Sequence, residues 1–335
     1  MIPETNPQVD QSMDEVLHFL MQNMTVSVSG QKLARDLGVP HSRVVRWVER
    51  LRSEGIDILG EAFTGFRLTR LPDVLLPQLI RPRLHTQAFG RTLHHLYSVD
   101  STNSYAVGLL GQDKSAAHGT VVMAERQTAG RGRRGRSWIS IPGVGLYISI
   151  ILRPEISSSL APLLTLGTAV AAHDAIERAT ELEVDIKWPN DLLLGRKKIC
   201  GILSELEAEV DHVRAMVIGV GINVNNEEFP EEIADSATSL RLELRRTHSR
   251  IEILLDFLHE FERLYEQFCE KGPSAIIDPW TRSSSFAKGR AIKVDDGVRL
   301  IRGVTDGLNA LGALRILEVD GGIEEVYSGD VVHWE

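Results

Sequence analysis

The sequence is poor in cysteine, lacks basic residues near its start and has no long apolar segment. Its two cysteines, Cys200 and Cys269, give neither a disulfide framework nor a paired-cysteine metal site. No apolar run approaches the roughly 18–20 residues that a membrane helix needs. Residues 1–15 contain neither lysine nor arginine and no apolar centre, so they do not read as a signal peptide. We therefore expect a cytoplasmic protein without a membrane partner.

The composition and the length indicate several ordinary globular domains. Hydrophobic residues make up 43% and charged residues 25% of the chain, which excludes collagen, coiled coil and bulk disorder. Its 335 residues exceed the roughly 250–300 at which one hydrophobic core stops growing. The order of predicted elements divides the chain into three domains, at residues 1–75, 76–284 and 285–335. The predicted fold class is α+β multidomain.

The first 70 residues predict a small helical module with a locally basic surface. The whole chain has a formal charge of −9, yet residues 25–70 hold eight basic against five acidic residues. The predicted elements are a helix opened by a capping box at Ser12, helices Ser29–Leu37 and Ser42–Ser53, and strands Ile56–Leu59 and Gly65–Thr69. Three helices followed by a hairpin are typical of a winged helix-turn-helix.

The third predicted helix separates charged from apolar side chains. At about 100° per residue, its arginines fall in one sector and Val44, Val48 and Leu51 in another. A recognition helix in the DNA major groove needs this division, because one face packs while the other contacts phosphates or guanine. The candidate DNA-binding residues are Ser42, Arg43, Arg46 and Arg50, with Arg67 on the wing. A merely solvated arginine face and a protein-interaction module remain alternatives.

The remainder of the chain mixes strands and helices and ends in short strands. Prolines mark Pro72–Arg83 as a boundary or linker. The predicted strands are Val121–Glu125, Leu146–Leu152, Val184–Lys187, Leu192–Leu194, Ile199–Leu206 and Arg214–Val224. The predicted helices are an amphipathic one at Leu163–Leu182 and another at Ile251–Glu270. We expect a central α/β domain with a mixed sheet and, from Ala287 onward, a small β barrel.

The segment Gln127–Trp138 is dense in arginine and glycine. Its glycines fit the dinucleotide pattern GxGxxG, but Pro142 and Gly143 follow where a helix should begin, so that interpretation fails. Four arginines in six residues repel one another, and we expect the loop to be mobile until it closes on a concentrated anion, either a nucleoside triphosphate or a nucleic-acid backbone. The candidate binding residues are Gln127, Gly130, Arg131, Gly132, Arg133 and Trp138. A solvated surface loop beside a core tryptophan is the alternative.

Further candidate residues lie at the ends of predicted strands. Pro189 ends a strand after Lys187 and projects Asn190 and Asp191, where a carboxylate and nucleotide phosphates would hold Mg²⁺. Alternation places Lys198 on one strand face with Cys200 and Ile202. The remaining candidates are Ser101, Thr102 and Asn103 at a helix start, and Gly201, Gly219, Gly221 and Asn223 on strands approached closely. The alternative for Asn190 and Asp191 is an ordinary Asn-Asp turn. The alternative for Ser101, Thr102 and Asn103 is a helix cap.

Five motifs occur in a fixed order along the chain. They are DSTN at 100–103, QTAGRGRRGRSW at 127–138, KWPNDL at 187–192, KKICGIL at 197–203 and GVGINV at 219–224. In this order they resemble the biotin–protein ligase family, in the bifunctional form that is also the biotin operon repressor. The N-terminal module and the C-terminal β domain, which the resemblance makes SH3-like, match as well.

The resemblance implies a two-step reaction. Biotin and ATP give biotinyl-5′-AMP and pyrophosphate, and the acyl group passes to a lysine of biotin carboxyl carrier protein. The resemblance also implies binding to operator DNA, a ligand-promoted homodimer, and biotinyl-5′-AMP as co-repressor. Cys200, Arg126 and a lengthened turn at 303–312 depart from the family pattern.

The resemblance further implies roles for individual residues. Ser101, Thr102 and Asn103 resemble binders of the biotin ureido ring, and Gln127 and Arg131–Arg133 resemble the biotin and adenylate loop. Lys198 is similar to the lysine at the reacting phosphate, Trp138 to the aromatic near adenine, and Asn190 and Asp191 to the nucleotide–metal residues. Lys187 belongs to one of the matching motifs and is included among the binders.

The residues suit this chemistry, because the difficulty is electrostatic. A carboxylate is already ionised at pH 7, so no general base is needed, but it must attack a polyanion. Cations at Arg131, Arg133 and Lys198 would supply positioning and charge stabilisation. A ligand-sensing repressor with an inactive ligase domain, a lipoate ligase, and a ligase with a vestigial DNA module are the alternatives.

Overall fold

The computed structural model describes residues 7–112, 116–208 and 211–334. The helices are α1 (Pro7–Gln22), α2 (Gly30–Asp36), α3 (His41–Ser53), α4 (Pro77–Ile80), α5 (Thr102–Gln112), α6 (Ala161–Thr180), α7 (Glu231–Ala234), α8 (Leu240–Leu244), α9 (Arg250–Lys271) and α10 (Ser274–Arg282). The strands are β1 (Ile58–Glu61), β2 (Gly65–Leu68), β3 (Leu93–Leu96), β4 (Val121–Ala124), β5 (Leu146–Leu152), β6 (Asp185–Lys187), β7 (Asp191–Leu194), β8 (Lys197–Ala208), β9 (Val213–Ile222), β10 (Lys288–Asp295), β11 (Leu300–Leu308), β12 (Leu314–Leu317), β13 (Ile323–Val326) and β14 (Asp330–Trp334).

Three helices and the antiparallel hairpin β1–β2 form the N-terminal unit. Ser29 caps α2 by accepting a hydrogen bond from the Lys32 amide, and Gly38 ends it in the left-handed region at φ +65°. The apolar sector of α3 is buried as expected, together with Trp47. The predicted start of the first helix is wrong: Ser12 lies inside α1, which is helical from Pro7 onward, so it is not a cap.

The segment expected to be a linker is instead packed into the molecule. Leu75, Leu76 and Ile80 are fully buried, and α4 lies within the segment. The prolines start and end short helical turns here rather than exposing the chain.

A seven-stranded mixed sheet forms the centre, in the order β3-β4-β5-β9-β8-β7-β6. The pair β3–β4 is parallel, and the other neighbours are antiparallel. The helices α6 and α9 pack on one another and share one core with the apolar side chains of β5, β8 and β9. The opposite face of the sheet carries glycines and polar side chains, and the cleft described below opens there.

The helix α6 is more buried than the sequence predicts. Its apolar residues are buried on nearly every side, so it is not amphipathic. The segment Ser158–Thr180 is also long and apolar enough to cross a membrane by length and composition, which corrects the prediction that no such run exists. Because 72% of its most apolar stretch is buried within the protein, it is accounted for as a core helix.

The C-terminal strands form a five-stranded antiparallel sheet in the order β13-β12-β11-β10-β14. In the described part of the chain, β13 and β14 lie at the two edges of this sheet, and the small SH3-like barrel stays a prediction. The expected long turn at 303–312 is shorter, because β11 continues to Leu308 and a turn held by the Asn309 side chain follows.

Candidate functional site

A cleft of about 110 Å³ opens on the central sheet. The candidate residues that line it are Ser101, Thr102, Asn103, Gln127, Arg131, Gly132, Arg133, Trp138, Asn190, Asp191, Lys198, Gly201, Gly219 and Gly221. Segments separated by more than 100 residues therefore meet at one place. Gly130, Lys187 and Asn223 do not line this cleft.

One wall of the cleft is a polar network at the start of α5. Gln127 Oε1 accepts hydrogen bonds from the amide of Thr102 at 2.8 Å and from its hydroxyl at 3.2 Å. The Ser149 hydroxyl lies 2.6 Å from Asn103 Oδ1 and 2.7 Å from Thr102 Oγ1. Asn103 Nδ2 donates to Glu205 at 2.8 Å. Ser149 and Glu205 were not among the predicted residues, although each lies on a strand that was predicted.

Three strand glycines make room for other side chains of the cleft. A Cβ on Gly219 would lie 2.2 Å from Asn103 Oδ1, and one on Gly221 or Gly201 would lie 2.6 or 2.8 Å from the Trp138 ring. No side chain fits at these distances. The prediction that something approaches the backbone closely here is consistent with these contacts.

A β-bulge directs Lys198 into the cleft. Leu192 pairs with Cys200 but Leu193 pairs with Lys198, so Ile199 is an extra residue between two pairs of the ladder. The Lys198 side chain consequently lies over Gly201, with Nζ 3.0 Å from where a glycine Cβ would stand. The prediction that alternation groups Lys198 with Cys200 is therefore wrong, because strict alternation does not survive an inserted residue.

Each arginine of the 127–138 loop is paired with a carboxylate. Arg131 binds Glu205 at 2.5 Å. Arg133 donates to Asn190 Oδ1 at 3.1 Å and to Asp330 Oδ1 at 3.2 Å. Arg134 and Arg136 also pair with Asp330. Three of these four arginines share Asp330, and Arg134 also pairs with Asp295, so three carboxylates compensate the positive charges in part.

Asp330 attaches the loop to the C-terminal sheet. It stands at the start of β14 and is 12% exposed at its side chain, and the neighbouring Gly329 carbonyl accepts from Arg133 at 3.1 Å. Burial lowers the pKa of Arg133, although Asp330 and Asp191 oppose this. Sequence reasoning missed Asp330 because no local pattern distinguishes it from other strand-start aspartates.

The turn after β6 brings a carboxylate to the lysine. Lys198 Nζ lies 2.6 Å from Asp191 Oδ1, and Asn190 is held by its Nδ2 donating to the Ile202 carbonyl at 2.6 Å. Lys187 lies outside the cleft, with Nζ 4.4 Å from the centre of the Trp334 ring. Burial lowers the pKa of Lys187, and Lys198 adds to this while Asp191 opposes it.

Two other candidates surround the tryptophan rather than the cleft. The Gly130 carbonyl accepts from the Trp138 amide at 2.8 Å. Asn223 donates to the Thr238 carbonyl at 3.1 Å and lines an adjoining cavity of about 150 Å³, which also has Trp138, Lys198 and Phe229 in its wall. The indole therefore separates a polar cleft from a more apolar one.

The N-terminal candidates are at the surface. Ser42, Arg43, Arg46 and Arg67 are exposed, while Arg50 is half-buried. The arginine sector of α3 thus faces outward, and its apolar sector packs on the rest of the unit.

Comparisons with known proteins place this site in a family. The Biotin/lipoate A/B protein ligase family matches residues 95–223. The bifunctional ligase/repressor BirA of Bacillus spizizenii is 37% identical over 323 residues, which cover 95% of this chain and 97% of the relative. The bifunctional ligase/repressor BirA of Escherichia coli is 30% identical over 303 residues, covering 90% and 92%. The biotin protein ligase from Aquifex aeolicus, solved with biotin and ATP, is 34% identical and has a TM-score of 0.62, covering 73% of this chain and 98% of that one.

The fold and the cleft together are those of a ligase with a small-molecule site on a mixed sheet, and the chain belongs to the biotin protein ligase family. Both of these BirA relatives match the chain over nearly their full length.

Proposed function

We propose that the protein is an ATP-dependent biotin–[acetyl-CoA-carboxylase] ligase and a DNA-binding repressor of biotin synthesis genes. The observation that carries this proposal is the convergence of Arg131, Arg133 and Lys198 on one cleft beside a polar wall. The ligase activates biotin as biotinyl-5′-AMP and transfers it to a lysine of biotin carboxyl carrier protein. Biotinyl-5′-AMP is also the co-repressor.

The two cavities beside Trp138 suit the two halves of the intermediate. The biotin ring lies against the wall of Ser101, Thr102, Asn103 and Gln127, where amide and hydroxyl groups offer hydrogen bonds. The adenine lies in the adjoining cavity beside Trp138, whose ring face suits a purine. The carboxylate and the α-phosphate then meet near Lys198, which lines both cavities.

The cations act by binding and orienting two reactants that repel each other. Lys198 holds the biotin carboxylate against the α-phosphate, and Arg131 and Arg133 hold phosphate oxygens. The oxygen–phosphorus bond forms as pyrophosphate leaves, and no proton moves in this step because the carboxylate is already ionised. In the second step the carrier lysine replaces AMP at the acyl carbon.

The cations must exchange partners when the reactants bind. Glu205, Asp330 and Asp191 pair with them in this structure. The Arg131–Glu205 pair is partly exposed, and exposed ion pairs contribute about 0–1 kcal/mol, so a triphosphate displaces Glu205 at little cost. Release from Asp330 lets the loop around Arg133 close as a lid over the water-sensitive adenylate.

The residues present fit a magnesium ion that is bound mainly by the nucleotide. No group of three or more potential His, Cys, Asp or Glu ligands occurs among the described residues. Asp191 offers one carboxylate, which suffices for Mg²⁺ that keeps water and phosphate ligands. Bound there, Mg²⁺ would neutralise phosphate charge. Lys198 would then share Asp191 with the ion.

We also propose roles for the N-terminal and C-terminal domains. The N-terminal unit is a winged helix-turn-helix that uses Ser42, Arg43, Arg46, Arg50 and Arg67 on operator DNA, and the C-terminal sheet is an SH3-like domain. The domains are residues 1–75, 76–284 and 285–335. The protein is cytoplasmic, and the adenylate promotes a homodimer that pairs two recognition helices on a palindromic site.

The deciding experiment is mass spectrometry of a biotin carrier domain incubated with the protein, MgATP and either biotin or lipoate. A mass gain of one biotinyl group, absent without ATP, supports the ligase. A lipoyl gain instead indicates the lipoate alternative, and no gain with either acid indicates a repressor with an inactive ligase domain. Footprinting with and without biotin and ATP tests the repressor.

A further inference from the structure

A buried charge network joins the N-terminal unit to the central sheet. Asp14 of α1 lies 2.8 Å from Nδ1 of His95 on β3, and Nε2 of the same ring lies 3.2 Å from Glu125 Oε1. The His95 side chain has no solvent exposure. Glu125 Oε2 lies 2.8 Å from the guanidinium of Arg250, the first residue of α9, which also binds Asp73.

The arrangement of acceptors makes His95 an imidazolium. A carboxylate stands at each ring nitrogen, so both nitrogens donate. Burial alone would lower the pKa of His95, but Asp14 and Glu125 outweigh it and raise the pKa to about 10. Burial would likewise raise the pKa of Glu125, and Arg250 and His95 lower it to about 2. His95, Glu125 and Arg250 are therefore all charged at neutral pH.

The same network holds both ends of the chain segment that carries the arginine loop. Glu125 precedes this segment, and its carbonyl accepts from the Gly143 amide at 3.1 Å. Arg250 donates to the Gly145 carbonyl at 3.0 Å, just before β5. Gln127, which positions Thr102 in the cleft, is two residues beyond Glu125.

We propose that His95 is a positioning residue that couples α1 to the cleft by holding Asp14 and the base of the 126–145 segment in one arrangement. This inference rests on the proposed function, because it names the route by which ligand in the cleft and DNA on α3 affect each other. A buried charge that loses its partner is strongly destabilising, so the network has one satisfied geometry. An arrangement that favours closure of the loop on a ligand then also favours the packing of α1 against β3.

The test compares His95→Gln, Asp14→Asn and the double variant with His94→Gln in the full chain. His94 is the neighbour of His95, points to Tyr105 with ring centres 5.9 Å apart, and serves as the matched control. Operator affinity is measured with and without biotin and MgATP, and amide hydrogen exchange is measured without ligand. Circular dichroism verifies folding.

We expect His95→Gln to reduce the ligand-induced gain in operator affinity by about fivefold or more, with the double variant no worse than the stronger single one. Amide exchange should rise both in residues 7–22 and in 126–145, and His94→Gln should change neither quantity. An unchanged gain in operator affinity, or faster exchange confined to residues 7–22, overturns the inference.

The hydrogen-exchange result separates this inference from the proposed function. If the wild type neither exchanges pyrophosphate nor binds DNA, the proposed function fails, but coupled exchange in 7–22 and 126–145 still supports the positioning role. If the wild type binds DNA in a ligand-dependent way and His95→Gln does so equally, the inference alone fails. Asp14→Asn, which preserves volume, gives the answer should His95→Gln not fold.

Discussion

At the scale of single residues, the cleft depends on the absence of side chains as much as on their presence. Gly219 lets Asn103 lie against the sheet, and Gly201 and Gly221 admit the Trp138 ring. The bulge at Ile199 then directs Lys198 into the cleft. Sequence reasoning identified these glycines because two of them in one strand are costly unless something approaches closely.

Replacing Gly219 by alanine should remove the polar wall. Its Cβ would lie 2.2 Å from Asn103 Oδ1, so the amide must move and release Ser149. We expect biotin affinity to fall by about tenfold or more, the equivalent of ~1.4 kcal/mol, in isothermal titration. Gly108→Ala is the control, because its Cβ meets nothing within 4 Å and should leave affinity unchanged. Equal affinity in both variants would contradict the assigned wall.

The free energy of unfolding should depend on pH through the buried carboxyl group of Asp10. Burial raises its pKa to about 6 from a usual value of 3.8, although His95 and Arg50 oppose the shift. The folded state therefore holds this proton more tightly than the unfolded state, so the stability from this group is present below about pH 4 and is lost as the pH rises through about 6. Asp10→Asn should raise stability by about 2–3 kcal/mol at pH 7.5 and by little at pH 4. Denaturant titrations at both pH values check this, and a pH-independent effect would refute it.

At the scale of elements, most helices and strands of the centre follow from periodicity, whereas their irregularities do not. The predicted helix Ile251–Glu270 and strand Leu146–Leu152 match α9 and β5 within a residue at each end. The bulge at Ile199 depends on the pairing of β8 with β7, which no local pattern encodes. The burial of α6 on nearly all sides likewise depends on its neighbours, because a solvated polar side is missing.

The arginine loop is the element with the most direct prediction. Arg133 binds both Asn190 and Asp330, and we propose that it closes over the adenylate. Arg133→Gly should speed the dissociation of biotinyl-5′-AMP by about tenfold or more, as measured by stopped-flow chase with excess unlabelled ligand. Arg263→Gly, which removes an arginine paired with Glu260 on α9, should not. An unchanged rate for Arg133→Gly would count against the lid.

At the scale of the whole molecule, the site is assembled from segments that only the tertiary fold brings together. Glu205 on β8 and Asp330 on the last strand pair with the loop arginines. A sequence shows which residues are charged, but it does not show which of 46 acidic residues meets which arginine. The separation of the five motifs in sequence bears no relation to their closeness in space. Their order nevertheless indicated a shared site, because it resembles that of one family.

The proposed activation of biotin depends on Arg131, Arg133 and Lys198, whose fixed positive charges let the biotin carboxylate attack the triphosphate. Biotin-dependent exchange of labelled pyrophosphate into ATP measures that step directly, with Lys198→Met compared to Lys197→Met. Lys197 is the adjacent residue, and its Nζ donates to the Ala234 carbonyl at 3.3 Å. We expect Lys198→Met to slow the exchange by about 100-fold or more and Lys197→Met to leave it near the wild-type rate. Exchange at the wild-type rate in Lys198→Met would contradict the account.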